Sequence, residues 1–224
     1  MYDVLIVGGG ITGCAALRLL SKYDLRIALL ERSPDLAMGA TKANSAIVHG
    51  GYAEGHDKLK GRLCYKGRKQ FAALNRELNF GFAAIGSMVL AFEEAQRTQL
   101  VAMMENGRRN GLDDLELLTG EQVKALEPAV NDDVKYALYC KGAGVCSPFE
   151  MALALAENAM ANGAQVHLHS GVAAMERNEN GFAVTAGDGR VFNTRFIVNA
   201  GGLDAVRLAA MAGDDSFSFY PPSG

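Results

Sequence analysis

The chain has 224 residues, 49% of them hydrophobic and 21% charged, with a formal net charge of −3. That composition supports a buried core and argues against intrinsic disorder. The absence of a clustered Lys/Arg block argues against nucleic acid as a main partner, and no apolar run reaches transmembrane length.

Val4 to Val7 form a short continuous apolar run, as expected of a strand buried on both faces. The chain opens directly on this strand, leaving no room for a charged n-region and cleavable signal, so a cytoplasmic location is expected. Gly8-x-Gly10-x-x-Gly13 follows. Gly8 allows a tight turn, Gly10 lets the backbone approach a pyrophosphate, and Gly13 lets the next helix pack closely on the strand. Leu17, Leu19 and Leu20 fall in that helix, which is predicted to end near Tyr23. Its free N–H groups and positive dipole end suit phosphates. Arg26–Leu30 is the second strand, and Glu31 at its tip can accept hydrogen bonds from a ribose diol. A Gly-rich turn in an ordinary α/β domain is the competing reading. Strand, glycines, helix, strand and acid in this order favour a dinucleotide.

Ser33 to Asn44 is a loop rich in small residues. Thr41 to Tyr52 then concentrates Asn44, Ser45, His49 and Tyr52, a set able to lay donors along a flat polar ring. For His49 a structural role and a role at a ring or substrate both stand open. A long helix is predicted over Asp57 to Leu78, with Leu59, Leu63, Phe71, Leu74 and Leu78 as its apolar positions. Lys58, Lys60 and Arg62 on it could attract an anion or form a solvated face. Ile85 to Phe92 reads as a strand, and Glu93 to Asn110 as a helix stopped by Gly111. Thr119 to Gln122 has capping-box spacing, opening a short helix that stops before Pro128.

Cys14, Cys64, Cys140 and Cys146 include no Cys-x-x-Cys pair and read as reduced thiols rather than a metal or disulfide set. Pro148 opens a helix running to about Asn162 and closed by Gly163. Gln165 to His169 is the next strand. Three strand-like runs follow, around Val172–Glu176, Phe182–Thr185 and Val191–Val198, joined by turns at Asn180-Gly181 and Asp188-Gly189. Phe196 to Asp204 is an apolar strand ending in a Gly turn, with a helix over Leu203 to Met211 behind it. A nucleotide-binding unit followed late by such a meander differs from the continuous βαβαβ alternation of a nicotinamide dehydrogenase.

Gly8–Gly13, Glu31, Asn44–His49, Leu59-Lys-x-x-Leu63, Gly86–Leu90 and Asn199–Gly202 occur in order. Together they resemble FAD-dependent oxidoreductases of the D-amino-acid-oxidase-like superfamily. The nearest branch is that of L-2-hydroxyglutarate dehydrogenase/oxidase and glycerol-3-phosphate dehydrogenase-like proteins. The resemblance implies an α/β fold: a Rossmann-like FAD-binding domain of glutathione-reductase type, a three-stranded β-meander and a partial α+β substrate or cap domain. It places the FAD-binding domain at 1–80 and 146–213, and the partial cap at 81–145 and 214–224.

The resemblance also implies a set of cofactor residues. Gly8, Gly10, Ile11, Thr12 and Gly13 would take the FAD pyrophosphate, and Glu31 with Arg32 the adenosine. Thr41, Asn44, Ser45 and His49 would lie along the pyrophosphate, ribityl chain and isoalloxazine. Val172 would frame the adenine, and Ala200, Gly201 and Gly202 would pass near the phosphates. The expected activity is oxidation of a small anionic 2-hydroxy acid or polyol phosphate by hydride transfer to flavin N5, with His49 as the candidate base. The electron acceptor could be a quinone, an iron–sulfur module or oxygen. Similar proteins continue beyond Tyr220–Gly224 into more cap sheet and a glycine-rich segment against the flavin. A truncated, non-catalytic flavoprotein fragment or binding module is therefore the alternative expectation.

Overall fold

The computed structural model describes residues 1–220; residues 221–224, the end of the expected 214–224 cap segment, lie outside the described residues. Two compact units are formed, one by residues 1–45 with 147 onward, the other by residues 46–146.

The first unit is built on a six-stranded sheet. β1 (Tyr2–Val7) leads through the glycine loop into α1 (Ile11–Leu20), then β2 (Ile27–Leu30). Far along the chain come α5 (Pro148–Ala161), β8 (Gln165–His167), β9 (Val172–Asn178), β10 (Gly181–Ala186), β11 (Val191–Asn199) and α6 (Ala205–Met211). Strand order is β8-β2-β1-β11-β10-β9. β8, β2, β1 and β11 run parallel, and β9, β10 and β11 form an antiparallel meander. Val4 to Val7 and all of β2 are buried, which is why both read as unbroken apolar runs. Leu5, Val7, Ala28 and Leu30 meet Val184, Phe192 and Leu208 in the core of this unit.

The fold is thus the α/β, Rossmann-like arrangement with a β-meander that the sequence led us to expect. The helix ends differ slightly. α1 stops at Leu20, with the Ser21 N–H closing onto Leu17 O, rather than near Tyr23. The first meander turn is Glu179-Asn180, because Asn178 and Gly181 already pair across the two strands.

The second unit holds β3 (Ile47–Val48), α2 (Leu59–Leu78), β4 (Ser87–Ala91), α3 (Arg97–Arg109), β5 (Leu115–Thr119), α4 (Gly120–Leu126), β6 (Tyr136–Cys140) and β7 (Gly144–Val145). Its main sheet is antiparallel in the order β4-β6-β5, and β3 pairs with β7. The capping box at Thr119 forms as expected, Thr119 Oγ1 accepting from the Gln122 N–H and the Gln122 side chain from the Thr119 N–H.

The units divide at Ser45/Ala46, so residues 46–80 fall in one unit with 81–146. The cause is local. β3 pairs with β7, and Tyr65 of α2 joins Ala91, Leu100, Leu115 and Leu138 in one core. The described part of 214–224 belongs to the first unit.

α2 also turns a different face inward. It buries Gly61, Tyr65 and Arg68, while Leu59 and Leu63 are 62% and 52% exposed. Arg68 is tolerated inside because its guanidinium meets Asp114 at 2.9 Å and Cys140 Sγ at 3.0 Å.

Candidate functional site

A cavity of about 480 Å³ opens at the carboxyl ends of the parallel strands of the first unit, where β1 and β11 lie side by side. This is where open α/β sheets bind ligands. Its floor is the loop between β1 and α1. Gly8 adopts φ +111°, and a Cβ there would sit 2.3 Å from Ala200 O, so the turn passes hard against the end of β11. A Cβ on Gly13 would lie 1.9 Å from Gly8 O, which is how α1 starts so close to the loop. Gly13 therefore shapes the site from behind and is not part of its lining.

α1 has no side-chain cap of its own. Thr41 Oγ1 reaches in from the 33–44 loop and accepts from the Ile11 N–H at 3.0 Å, and Thr41 is buried. The following N–H groups of the first turn have no intrahelical partners, which leaves donors and the positive dipole end aimed at the cavity. Gly8, Gly10, Ile11, Thr12 and Thr41 all line it.

Glu31 closes β2 and also lines the cavity. Its Oε2 accepts from the Gly9 N–H at 2.6 Å and its Oε1 from the Ser33 N–H at 2.8 Å. The carboxylate thus ties the glycine loop to β2. Each oxygen keeps a further lone pair for an outside donor.

Arg32 lines the mouth but is committed to Asp204, Nη1 to Oδ2 at 2.6 Å, and Arg207 Nε reaches the same carboxylate at 3.3 Å. Asp204 and Arg207 had no sequence signal beyond the helix that carries them. Ala200, Gly201 and Gly202 form the wall after β11, folded by Asn199, whose Oδ1 accepts from the Gly201 N–H and whose Nδ2 donates to Ala205 O. Val172 completes the far side beside Ser170 and Gly171.

Asn44 lines the cavity, but its Nδ2 donates to Ala40 O and Thr41 O at 3.2 and 2.6 Å, so these donors brace its own loop. Met38, Gly39 and Ala40 of that loop also line the cavity, and the sequence marked them only as part of a small-residue stretch. Ser45 is exposed and outside the lining. His49 belongs to the second unit, where its side chain is exposed just after β3. Lys58, Lys60 and Arg62 are exposed, with Lys60 paired to Glu54.

The thiols hold no chemistry of this kind. Cys14 is fully buried in α1, and burial, seconded by the Glu31 carboxylate, pushes its pKa up to about 12. All four cysteines are free, and no group of three or more potential metal ligands occurs among the described residues.

The family model described as "DAO: FAD dependent oxidoreductase" matches residues 3–224. The chain belongs to this family. Its members' resemblance to it extends to curated proteins and solved structures. The glycerol 3-phosphate dehydrogenase of Caloramator mitchellensis is 38% identical over 224 residues, covering 100% of this chain and 46% of that protein. The L-2-hydroxyglutarate dehydrogenase of Salmonella houtenae is 30% identical over 215 residues, covering 95% and 50%. The dithionite-reduced L-alpha-glycerophosphate oxidase of Mycoplasma pneumoniae with FAD bound superposes with a TM-score of 0.86 at 30% identity, covering 94% and 56%. The chain spans about half the length of the curated relatives it matches.

The residues present fit the adenosine diphosphate portion of the family's cofactor. Gly8, Gly9 and Gly10 put no side chain into the cavity floor ahead of α1, and Glu31 lines the same cavity with lone pairs still open. Gly202, where an added Cβ would meet nothing within 4 Å, leaves that wall of the cavity open. No helix among the described residues is long and apolar enough to cross a membrane.

Proposed function

We propose that this chain binds FAD in the first-unit cavity and serves oxidation of a small anionic 2-hydroxy acid or polyol phosphate. The observation that carries the reading is the joint between Glu31 and the Gly8–Gly13 loop, which sets a ribose acceptor beside a diphosphate cradle. The substrate class rests on the relatives, whose names specify glycerol 3-phosphate and L-2-hydroxyglutarate, both alcohols on anionic carbon skeletons.

In this reading the Gly10 and Thr12 N–H groups and the helix dipole seat the pyrophosphate, Gly8 and Ile11 line its floor, and Gly13 lets α1 start close behind it. Glu31 accepts from the ribose hydroxyls, Val172 borders the adenine, and Ala200–Gly202 pass beside the phosphates. Arg32, held by Asp204, lends positive charge at the adenosine end. Thr41 and Asn44 keep the covering loop in place, and Ser45 continues it. When bound, FAD supplies the two-electron acceptor for a hydride leaving the substrate carbon. His49, exposed in the second unit, is the proposed acceptor of the hydroxyl proton. The final electron acceptor in this scheme is a quinone, an iron–sulfur module or oxygen.

The test is spectroscopic. The purified chain titrated with FAD should acquire a bound-flavin spectrum, and sn-glycerol 3-phosphate or L-2-hydroxyglutarate added anaerobically should bleach it. A chain that never takes up flavin overturns the reading. Flavin that binds and is bleached by neither compound would leave a binding module, the second reading.

A further inference from the structure

The segment after His49 has neither helix nor strand through Asp57, so its carbonyl groups need donors from elsewhere. α3 of the same unit provides them. Asn106 Nδ2 donates to Tyr52 O and Glu54 O, both at 2.8 Å, and Asn106 Oδ1 accepts from the His56 N–H at 3.2 Å. One turn later Asn110 Nδ2 donates to Gly51 O at 2.9 Å and to Glu54 O at 2.8 Å. Between them lies Gly107, where a Cβ would stand 2.9 Å from Tyr52 Cβ, so the helix backbone itself presses on the loop.

Two features show that these side chains serve the loop rather than the helix. Asn and Gly are poor helix formers, and the last turn of α3 carries Asn106 and Gly107 together with the capping Asn110. The orientation of Asn110 is also forced. Both its neighbours are carbonyls, so the amide nitrogen must face them. Its Oδ1 is then buried without a hydrogen-bond partner among the described residues. An asparagine kept for general stability would not sit with a desolvated acceptor. This one sits so because two loop carbonyls are met.

We propose that Asn106 and Asn110 are positioning residues: they fix the loop from Gly51 to His56, directly after His49, in one conformation before substrate arrives. The consequence for turnover rests on the role given to His49 above. A base held in place converts binding into reaction, and a loop free to wander would lose rate far more than affinity.

The test compares Asn106→Ala, Asn110→Ala and the double variant with the unaltered chain. At Asn106, inside α3, alanine favours helix over asparagine, so that change does not weaken the helix, and Asn110 is the C-cap beyond its last residue. The first measurement needs no cofactor. Hydrogen exchange of the amides of residues 50–56 should quicken about tenfold or more in the double variant, while β4, β5 and β6 stay protected. The second is the anaerobic bleaching of bound FAD by sn-glycerol 3-phosphate across a range of concentrations. The limiting rate should fall about tenfold or more, with the half-saturating concentration and the FAD affinity each changed less than about threefold.

Unchanged exchange at 50–56 overturns the proposal, as does exchange raised equally through the sheet, which would make the pair a support of the whole unit. Faster loop exchange with an unaltered limiting rate overturns the positioning role. If the unaltered chain binds FAD but no substrate bleaches it, the oxidoreductase reading fails, and the exchange result alone decides whether the asparagines set the loop.

Discussion

Glu31 Oε2 accepts the Gly9 N–H at 2.6 Å, so the acid that ends β2 and the loop that leaves β1 are one joined structure. A residue chosen from sequence as a ribose acceptor therefore has a second duty that sequence did not show. Glu31→Ala should weaken FAD by about 1.5–3 kcal/mol, because hydrogen bonds to a charged acceptor are lost. It should also lower the thermal midpoint of the cofactor-free chain, since the Gly9 and Ser33 N–H groups lose their acceptor. Flavin fluorescence titration and a melting curve measure the two. Unchanged FAD affinity with a lowered midpoint would confine Glu31 to the joint.

Two glycines make a matched pair for testing close approach. At Gly13 an added Cβ would meet backbone, Gly8 O at 1.9 Å, and neither atom can yield without moving α1 or the loop. Gly13→Ala should cost about 3 kcal/mol, at the upper end of overpacking changes. Gly67 lies in α2 with nothing within 4 Å of an added Cβ. Gly67→Ala should stabilise by about 0.5–1 kcal/mol, the helical advantage of alanine over glycine. Urea unfolding reads both, and equal effects at the two sites would refute the packing argument.

These two cases show what was legible. The βαβ unit could be read because Val4–Val7 is apolar without a break and the glycines and Glu31 stand in fixed order after it. The meander could be read because Gly181 and Gly189 punctuate three apolar runs. The division at Ser45/Ala46 could not, because it depends on the β3–β7 pair, and two-residue strands carry no period. β5 and β6 were missed for a related reason: each is five residues long, and neither Leu115–Thr119 nor Tyr136–Cys140 alternates strictly. The inward face of α2 was misassigned because leucines drew the pattern. Gly61 has no side chain to register, and Arg68 is buried only through Asp114, distant in sequence. Within the cavity the motif residues were visible, whereas Thr41's capping of α1 and Asp204's hold on Arg32 arise from chain crossings that no local pattern encodes.

Cys14 should be chemically silent. Its thiol donates to Gly9 O at 3.4 Å, lies fully buried and has a pKa near about 12. At about pH 8 only about one such thiol in ten thousand is ionised, and the thiolate is the nucleophile. Iodoacetamide followed by peptide mass spectrometry should modify the half-buried Cys64 and Cys146 first and leave Cys14 intact until the protein is denatured. Native modification of Cys14 as fast as that of Cys64 would contradict the buried assignment.

The last prediction concerns acid. His167 at the end of β8 lies 3.4 Å from the Tyr2 hydroxyl and with its ring 5.0 Å from that of Phe192. Burial first, then the charge of Arg190, holds its pKa below the usual 6.5. The folded protein therefore prefers neutral His167, while the unfolded chain binds a proton more readily. Stability is complete above the unfolded value and declines as pH falls from about 6.5 through the folded value, below which the loss levels off. Asp3 and Asp188, held below 3.8 by hydrogen bonds from Arg26 and Arg190, surrender their contribution only at lower pH. The interval between about pH 7 and about pH 5 thus isolates the histidine. His167→Gln removes the titrating group, so the melting temperature of the variant should fall less steeply than that of the unaltered chain across this interval. Parallel curves would show that His167 is as readily protonated folded as unfolded.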